Sequence, residues 1–360
     1  MKIQLKKWHK IFFIGLMLVI AVVLSAEKFT EKSRAKEAQA NLNLYLELRY
    51  TILFDFLKSM GTEVRSASTN HLVPSSAANL SLDWQQLSSN DKRMIEDVFQ
   101  KKNDPFTLGN ANKIQAQYLQ HLQAFEVYAK KFIDHFGYYD LFLIASNGDV
   151  VYSFAKEKDF GTNLINGPYN KTALAEIYQR AMNLSAKGIE SNKEVLIFSD
   201  FEAYAPSKGE PASFCGYPIQ MNGKTIGVLA LQIPTSYINK MMQFTAGMGT
   251  TGETYIVGHD KLMRSQSRFT EEQTALKKNV DTESVRLGLL GKKGTLVTRD
   301  YRGVKVISAF APIDFGGHPW VVLAEIDAEE IYRGLSEWTM GVLVLGILVV
   351  AFTSFIYRKK

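Results

Sequence analysis

The chain has 360 residues, is 46% hydrophobic and carries a net charge of +6, which is enough for two or three domains and a sizeable core. Seven of the 42 basic residues lie at the ends (Lys2, Lys6, Lys7, Lys10, Arg358, Lys359 and Lys360), and the 35 others face 36 acidic ones. No domain is therefore coated with positive charge, which excludes nucleic-acid binding; the lone Cys215 excludes an internal disulfide.

Ile11 to Ala26 is apolar and free of charge, and is expected to be a membrane helix with Trp8 and His9 at the interface. A cleaved signal peptide is the rival, but Leu24-Ser25-Ala26 puts a bulky residue where cleavage wants a small one. The chain then stays helical. Leu46, Tyr50, Leu53, Leu57, Met60 and Val64 repeat at heptad spacing, a seam read here as a homodimer contact through the long helix. Ser66 to Ser81 is small and polar and reads as a loop. Two helical patterns follow, the second from about Ala111 to Phe136, ended by Gly137.

Tyr138 to Phe154 reads as a hairpin turning at Asn147-Gly148. After a Gly/Asn/Pro loop come a helix from about Thr172, a strand at Glu194 to Phe201, and two strands joined by Asn222-Gly223. The order then repeats. Gly252 to Ser267 is a second opening hairpin, Asp281 or Thr282 caps a helix stopped by Gly291, and three strands follow, the last two around Gly316-Gly317. Asp327-Ala328-Glu329-Glu330 has capping-box form and is expected to start a helix running unbroken into a second membrane segment, Trp338 to Tyr357. Lysine and arginine flank both apolar segments on their outer ends, so both termini are expected in the cytoplasm and everything between in the periplasm of a bacterium, at the inner membrane.

The fold class is thus α+β: a long N-terminal helix with two tandem, mostly antiparallel modules, flanked by two transmembrane helices. The expected divisions are 1–26 for the cytoplasmic tip and first membrane helix, 27–110 for the long helix and a helical and loop region, 111–246 for a membrane-distal module, 247–327 for a membrane-proximal module, and 328–360 for a signalling helix and second membrane helix.

Several stretches carry a resemblance: "GYYDLFLIASNGDVVYSFAKEKDFGTNLINGPY", "FSDFEAYAP", "IGVLALQIP", "GTTGETYIVGHDKLMRSQSRF", "YRGVKVISAFAPI" and "WVVLAEID". They resemble the double Cache sensor region of bacterial transmembrane receptors, similar to that of methyl-accepting chemotaxis receptors, over about Glu27 to Tyr332. The resemblance implies two stacked PAS-like modules, a small periplasmic ligand and a signal crossing through the helices to a cytoplasmic or membrane signalling partner. A receptor of this kind continues into a HAMP coil and an output domain, whereas here only Arg358, Lys359 and Lys360 follow the second apolar segment, which reads either as a naturally short receptor or as a piece of a longer product. Two departures separate the chain from the amino-acid-binding version of that family. Asn166-Gly167-Pro168-Tyr169 stands in place of its Arg-x-Trp-Tyr element, and Gln232 stands where it carries an Asp.

No HExxH, paired-cysteine or phosphate-loop motif is present, and none of the six histidines is spaced from another as a metal pair would be; catalysis, a cofactor and a metal are not expected. His259 and His318 read as solvated, and Cys215 as a small buried strand residue. The aromatic residues of the first module and one charge suggest a ligand pocket made of Tyr152, Tyr169, Phe198, Asp200, Tyr204, Phe214 and Tyr217. Arg264 and Arg268 read as a surface ion pair with acidic neighbours, or as an anion site. The function expected is a sensory receptor; the alternative is a membrane-anchored protein that docks another membrane complex without a ligand of its own.

Overall fold

The computed structural model describes residues 2–100, 112–186, 197–333 and 335–359. Helix α1 (Lys2–Thr69) takes in the first apolar segment and runs on through Gly61. The heptad seam faces the chain's own sheets: Leu46, Leu53, Leu57, Met60 and Val64 are buried in one core cluster with strand residues of both sheets, and Tyr50 packs against it. The expected dimer seam is therefore consumed within the chain. Each of these leucines gains about 1.5–3 kcal/mol from burial against its own modules, and the row that α1 leaves outward is Leu44, Leu48 and Ile52.

The loop expected at Ser66 to Ser81 is a second correction. After a turn at Asn70-His71 the chain forms α2 (Leu72–Gln86), with Val73, Ala77, Leu80 and Trp84 buried along one face. That 4, 3, 4 spacing is helical, and Pro74 stands in the first turn, where the backbone N–H it lacks would have no partner. Helix α3 is Ser89–Gln100. Helix α4 (Lys113–Phe136) starts from a capping box between Asn112 and Gln115 and ends at Gly137, whose φ of 75° suits glycine.

Strands β1 (Asp140–Ala145), β2 (Val150–Ser153), β3 (Glu202–Tyr204), β4 (Glu210–Met221) and β5 (Lys224–Pro234) form an antiparallel sheet in the order β2-β1-β5-β4-β3. Asn222 and Gly223, at φ 52° and 73°, make the two-residue turn between β4 and β5. Helix α5 (Ala173–Ala186) covers the face away from α1. The strand expected at Glu194 to Phe201 is reduced to one bridge, Phe198 to Cys215, and Glu194 to Leu196 lie outside the described residues. Buried Cys215 is part of the core on the α1 side.

After α6 (Thr235–Met242), strands β6 (Glu253–Gly258), β7 (Gly294–Arg299), β8 (Lys305–Phe315) and β9 (His318–Asp327) form a second antiparallel sheet, β6-β9-β8-β7, covered by α7 (Glu283–Leu289), which Thr282 caps. The second arm of the second hairpin is only a bridge, Val257 to Met263, because the backbone of 261–280 folds back on itself, with Met263 N donating to Lys278 O and Val280 N to Lys261 O. His318 is only partly solvated: its Nε2 is shielded and 3.8 Å from Glu176.

Helix α8 (Ala328–Tyr332) does not continue unbroken. Arg333 is extended, at ψ 136°, before α9 (Leu335–Lys359) begins. The capping box is not formed, because the Asp327 carboxylate accepts from Arg302 while Glu330 accepts from the amides of Thr250 and Thr251. Helix α9 lies along the N-terminal part of α1, with Gly346 against Val19 and Gly15 against Val350. Phe13, Ile14, Met17, Leu18 and Val22 of α1 stay exposed, as do Met340, Val344, Leu345, Leu348 and Phe352 of α9. By length and composition one described helix, α1, is apolar enough to cross a membrane; the apolar stretch Met340–Thr353 is shorter.

Candidate functional site: a buried acidic cluster on the first sheet

Strand alternation decides which side chains can meet. Asp140, Gln232 and Phe214 are direct cross-strand partners on β1, β5 and β4, so all three point to the same face, away from α1. Asp140 is fully buried. Its Oδ1 accepts from the amides of Phe154 (2.7 Å), Ala155 (3.0 Å) and Leu141 (2.7 Å), and its Oδ2 from Ser153 Oγ (2.7 Å).

Asp159, from the loop after β2, is also buried. Its Oδ2 accepts from Tyr204 Oη at 2.6 Å, while its Oδ1 has no partner. Gln232 donates from Nε2 to Ser207 Oγ (3.2 Å), and its Oε1 is likewise unpartnered. Glu157 closes the rim, accepting from Ser207 and from Tyr139 Oη (2.9 Å). Lys156 turns away to Glu126 Oε1 at 2.7 Å. The cluster thus brings together three carboxylates and two open acceptors. Burial pushes both Asp140 and Asp159 above the ordinary carboxylate value, and the charge of Asp159 pushes Asp140 up further. Such a site suits a ligand that brings hydrogen-bond donors and positive charge.

The seven residues picked from sequence do not line one cavity. Tyr204 and Phe214 meet edge-on at 4.9 Å in the hydrophobic cluster beside the acidic one, and Tyr169 packs against that hydrophobic cluster. Tyr152, Phe198 and Tyr217 belong to the core on the α1 side. Tyr152 donates to Glu126 Oε2 at 2.6 Å, Phe198 packs on Phe315 of the second sheet at 5.5 Å, and Tyr217 lies 6.0 Å from the Arg65 guanidinium. Phe214 and Tyr217 are three positions apart, an odd step that puts them on opposite faces. Asp140, Asp159, Glu157 and Ser207 were missed; the signal for the first was a lone charge opening the apolar run "DLFLIA".

Asp200 is engaged elsewhere. Its carboxylate takes Arg264 Nε and Nη2 at 2.8 Å each and Trp320 Nε1 at 3.0 Å, joining the two sheets. Arg264 is not a surface residue: its side chain is 1% exposed, its Nη1 also reaches Asp260 at 2.9 Å, and it passes under Gly258, where any Cβ would collide with the guanidinium. Arg268 is not part of an anion site either, since its guanidinium donates to Gly252 O.

The Cache domain model matches residues 29–335, most of the chain. The chain belongs to the Cache family. Among solved structures, this Cache chain is similar to the ligand-binding domain of the Campylobacter jejuni chemoreceptor Tlp3 in complex with 4-methylisoleucine, at 13% identity and a TM-score of 0.51, covering 85% of this chain and 97% of that one. It is also similar to the ligand-binding domain of the Pseudomonas fluorescens chemoreceptor CtaA in complex with L-isoleucine, at 10% identity and a TM-score of 0.45, covering 85% of this chain and 98% of that one. No curated protein sequence matches significantly. The likeness to Tlp3 is a likeness of fold: a long helix backing two antiparallel sheets. In this Cache chain Asp140 is the cross-strand partner of Gln232, and Asp159 follows on the loop after β2, bonded to Tyr204.

The raised acids of the cluster set a pH dependence. A carboxyl whose native pKa lies above its unfolded value of about 3.9 stabilises the fold fully below that value, and the contribution is lost as pH rises through the native pKa. Urea midpoints are therefore expected to fall more between pH 5 and pH 8 in the wild type than in Asp140→Asn. Equal slopes would place the raised proton elsewhere.

Proposed function

We propose that the chain is a bacterial inner-membrane sensory receptor, not an enzyme, whose first module binds a small amine-bearing ligand at the cluster formed by Asp140, Asp159 and Gln232. The observation that carries this reading is the pair of buried, unpartnered acceptors, Asp159 Oδ1 and Gln232 Oε1, in a site without a free cation among the described residues. A buried acceptor left without a donor costs about 1–3 kcal/mol, which an ammonium or hydroxyl ligand would recover. Membership of the Cache family supports a ligand-binding sensor.

On this reading the modules divide near residues 246 and 247, and α1 and α9 cross the inner membrane with both termini cytoplasmic. The outward apolar rows on α1 and α9 and the terminal lysines and arginines support that placement. A homodimer would use the outward row Leu44, Leu48 and Ile52 in place of the consumed seam. Tyr204 and Asp200 lie four residues apart, one on Asp159 and the other on Arg264. Displacement of Tyr204 by a ligand would thus reach the second sheet, α8 and α9 as a shift of about 1–2 Å.

The test is a thermal-shift screen of the full chain in detergent against small primary amines, polyols and carboxylic acids. The expected result is stabilisation by amines alone, since a ligand that binds only the folded state raises its apparent stability. Stabilisation by carboxylic acids alone would refute the assignment.

A further inference from the structure

Thr251 stands inside the cap of α8, the short helix that leads to α9. The sequence Asp327-Ala328-Glu329-Glu330 allows a reciprocal cap in which the Glu330 carboxylate accepts from the Asp327 amide. Instead the Asp327 amide donates to Thr251 Oγ1 at 3.1 Å, and Thr251 Oγ1 donates to Glu330 Oε2. A hydroxyl from the linker between the two sheets thus relays a bond that the helix has the residues to make alone. The linker adds its own amides, Thr250 N to Glu330 Oε1 and Thr251 N to Glu330 Oε2, at 2.8 Å each. Gly249, at φ 69°, lets the backbone come this close, since a Cβ there would collide with Glu330 Oε1. Partial burial opposes ionisation of Glu330, but the bonds from Thr251 and Thr250 hold its carboxyl below the ordinary value, so it serves as an acceptor only.

Both sides of this contact reach further. The linker continues from α6, which directly follows β5 of the first sheet, and Tyr237 of α6 donates to Phe136 O at the end of α4. At the other end of α8, Arg34 of α1 donates from Nη1 to Ile331 O (3.4 Å) and Arg333 O (3.2 Å). Helix α8 is therefore held by the linker at one end and by α1 at the other, next to the extended Arg333 that separates it from α9.

We propose that Thr251 is a latch between two states of α8: docked, with the linker hydroxyl bridging Asp327 and Glu330, and released, with Glu330 closed directly on the Asp327 amide. The helix stays capped in both states, and Thr250 is exposed, so the amides that the linker gives up can turn to water. Movement of α6 would then reseat α8 between the linker and α1. This path does not use the Asp200–Arg264 clamp, and it holds whatever ligand the first module takes. Hydrogen exchange of the full chain in detergent, resolved to single amides, tests it. In Thr251→Val the amides of residues 250 and 251 are expected to exchange about tenfold faster, while the Asp327 amide stays protected because Glu330 takes it. Thr251→Val combined with Glu330→Ala removes both acceptors and should expose the Asp327 amide, whereas Thr251→Ser should match the wild type. Tyr237→Phe, which loosens α6 from α4, should speed amides 250 and 251 in the wild type and add nothing in Thr251→Val. Continued protection of the Val321 to Leu323 amides on β9 shows that each variant is folded. An Asp327 amide exposed in Thr251→Val alone, linker amides unchanged in that variant, or a Tyr237→Phe effect that adds in full to that of Thr251→Val would each overturn the latch.

Discussion

Arg264→Ala is expected to lower the unfolding free energy by about 3–5 kcal/mol, among the largest effects available to one substitution in this chain. The Arg264 side chain is 1% exposed, and its guanidinium is held by Asp200, Asp260 and the Leu262 carbonyl. Its removal leaves the Asp200 carboxylate, only 14% exposed, with the Phe201 amide at 2.7 Å, Trp320 Nε1 at 3.0 Å and His259 at 3.5 Å, and with no guanidinium to balance its charge. The cost is the uncompensated charge rather than the worth of the pair, so Asp200→Leu combined with Arg264→Met is expected to recover most of the loss. Because the pair joins the two sheets, Arg264→Ala should also separate their unfolding into two transitions. Guanidinium denaturation followed by far-UV circular dichroism checks both points. A loss under 1 kcal/mol with one transition would mean that water replaces the guanidinium and that the clamp is dispensable.

That clamp also marks where the sequence stopped being informative. In sequence Asp200 falls with the aromatic residues of the first module and Arg264 with a surface ion pair or anion site, yet they bond to each other across 64 positions, and no local pattern couples such a pair. The elements themselves were legible because their signals are local: Asn222-Gly223 for the turn, Gly137 for the helix end, Thr282 for the cap. The misread pieces are those where composition competed with periodicity. The serines and alanines of Leu72–Gln86 look like a loop until the spacing of Val73, Ala77, Leu80 and Trp84 is counted. The seam of α1 was visible, but whether a helix face meets its own sheet or a second chain depends on tertiary packing. The acidic cluster was missed for a related reason. Aromatic residues attract attention in sequence, whereas Asp140, Asp159 and Gln232 become neighbours only through the register of β1 and β5 and a loop that folds back over them.

Asp159→Asn is expected to weaken amine binding about ten- to hundred-fold. It replaces a charge-assisted hydrogen bond worth roughly 1.5–3 kcal/mol by a neutral one. The amide keeps the carboxylate's shape, and its oxygen can still accept from Tyr204, so the fold should hold. Gln232→Glu should act in the opposite direction, adding a further acid beside Asp140 and Asp159 and tightening the binding of a cation. Because burial keeps Asp140 and Asp159 partly protonated, wild-type affinity should rise with pH from 5 to 8 and binding should release protons, seen as a buffer-dependent enthalpy. An affinity that falls over that range, or one unchanged in Asp159→Asn, would place the amine elsewhere.

The most direct measurement is a crystal structure of the chain with the tightest-binding amine from the screen. The account predicts the ligand nitrogen within about 3 Å of Asp159 Oδ1, with Gln232 Oε1 as a second acceptor and Tyr204 moved off Asp159. A ligand seated anywhere else, with the Asp159–Tyr204 pair still closed at 2.6 Å, would contradict it.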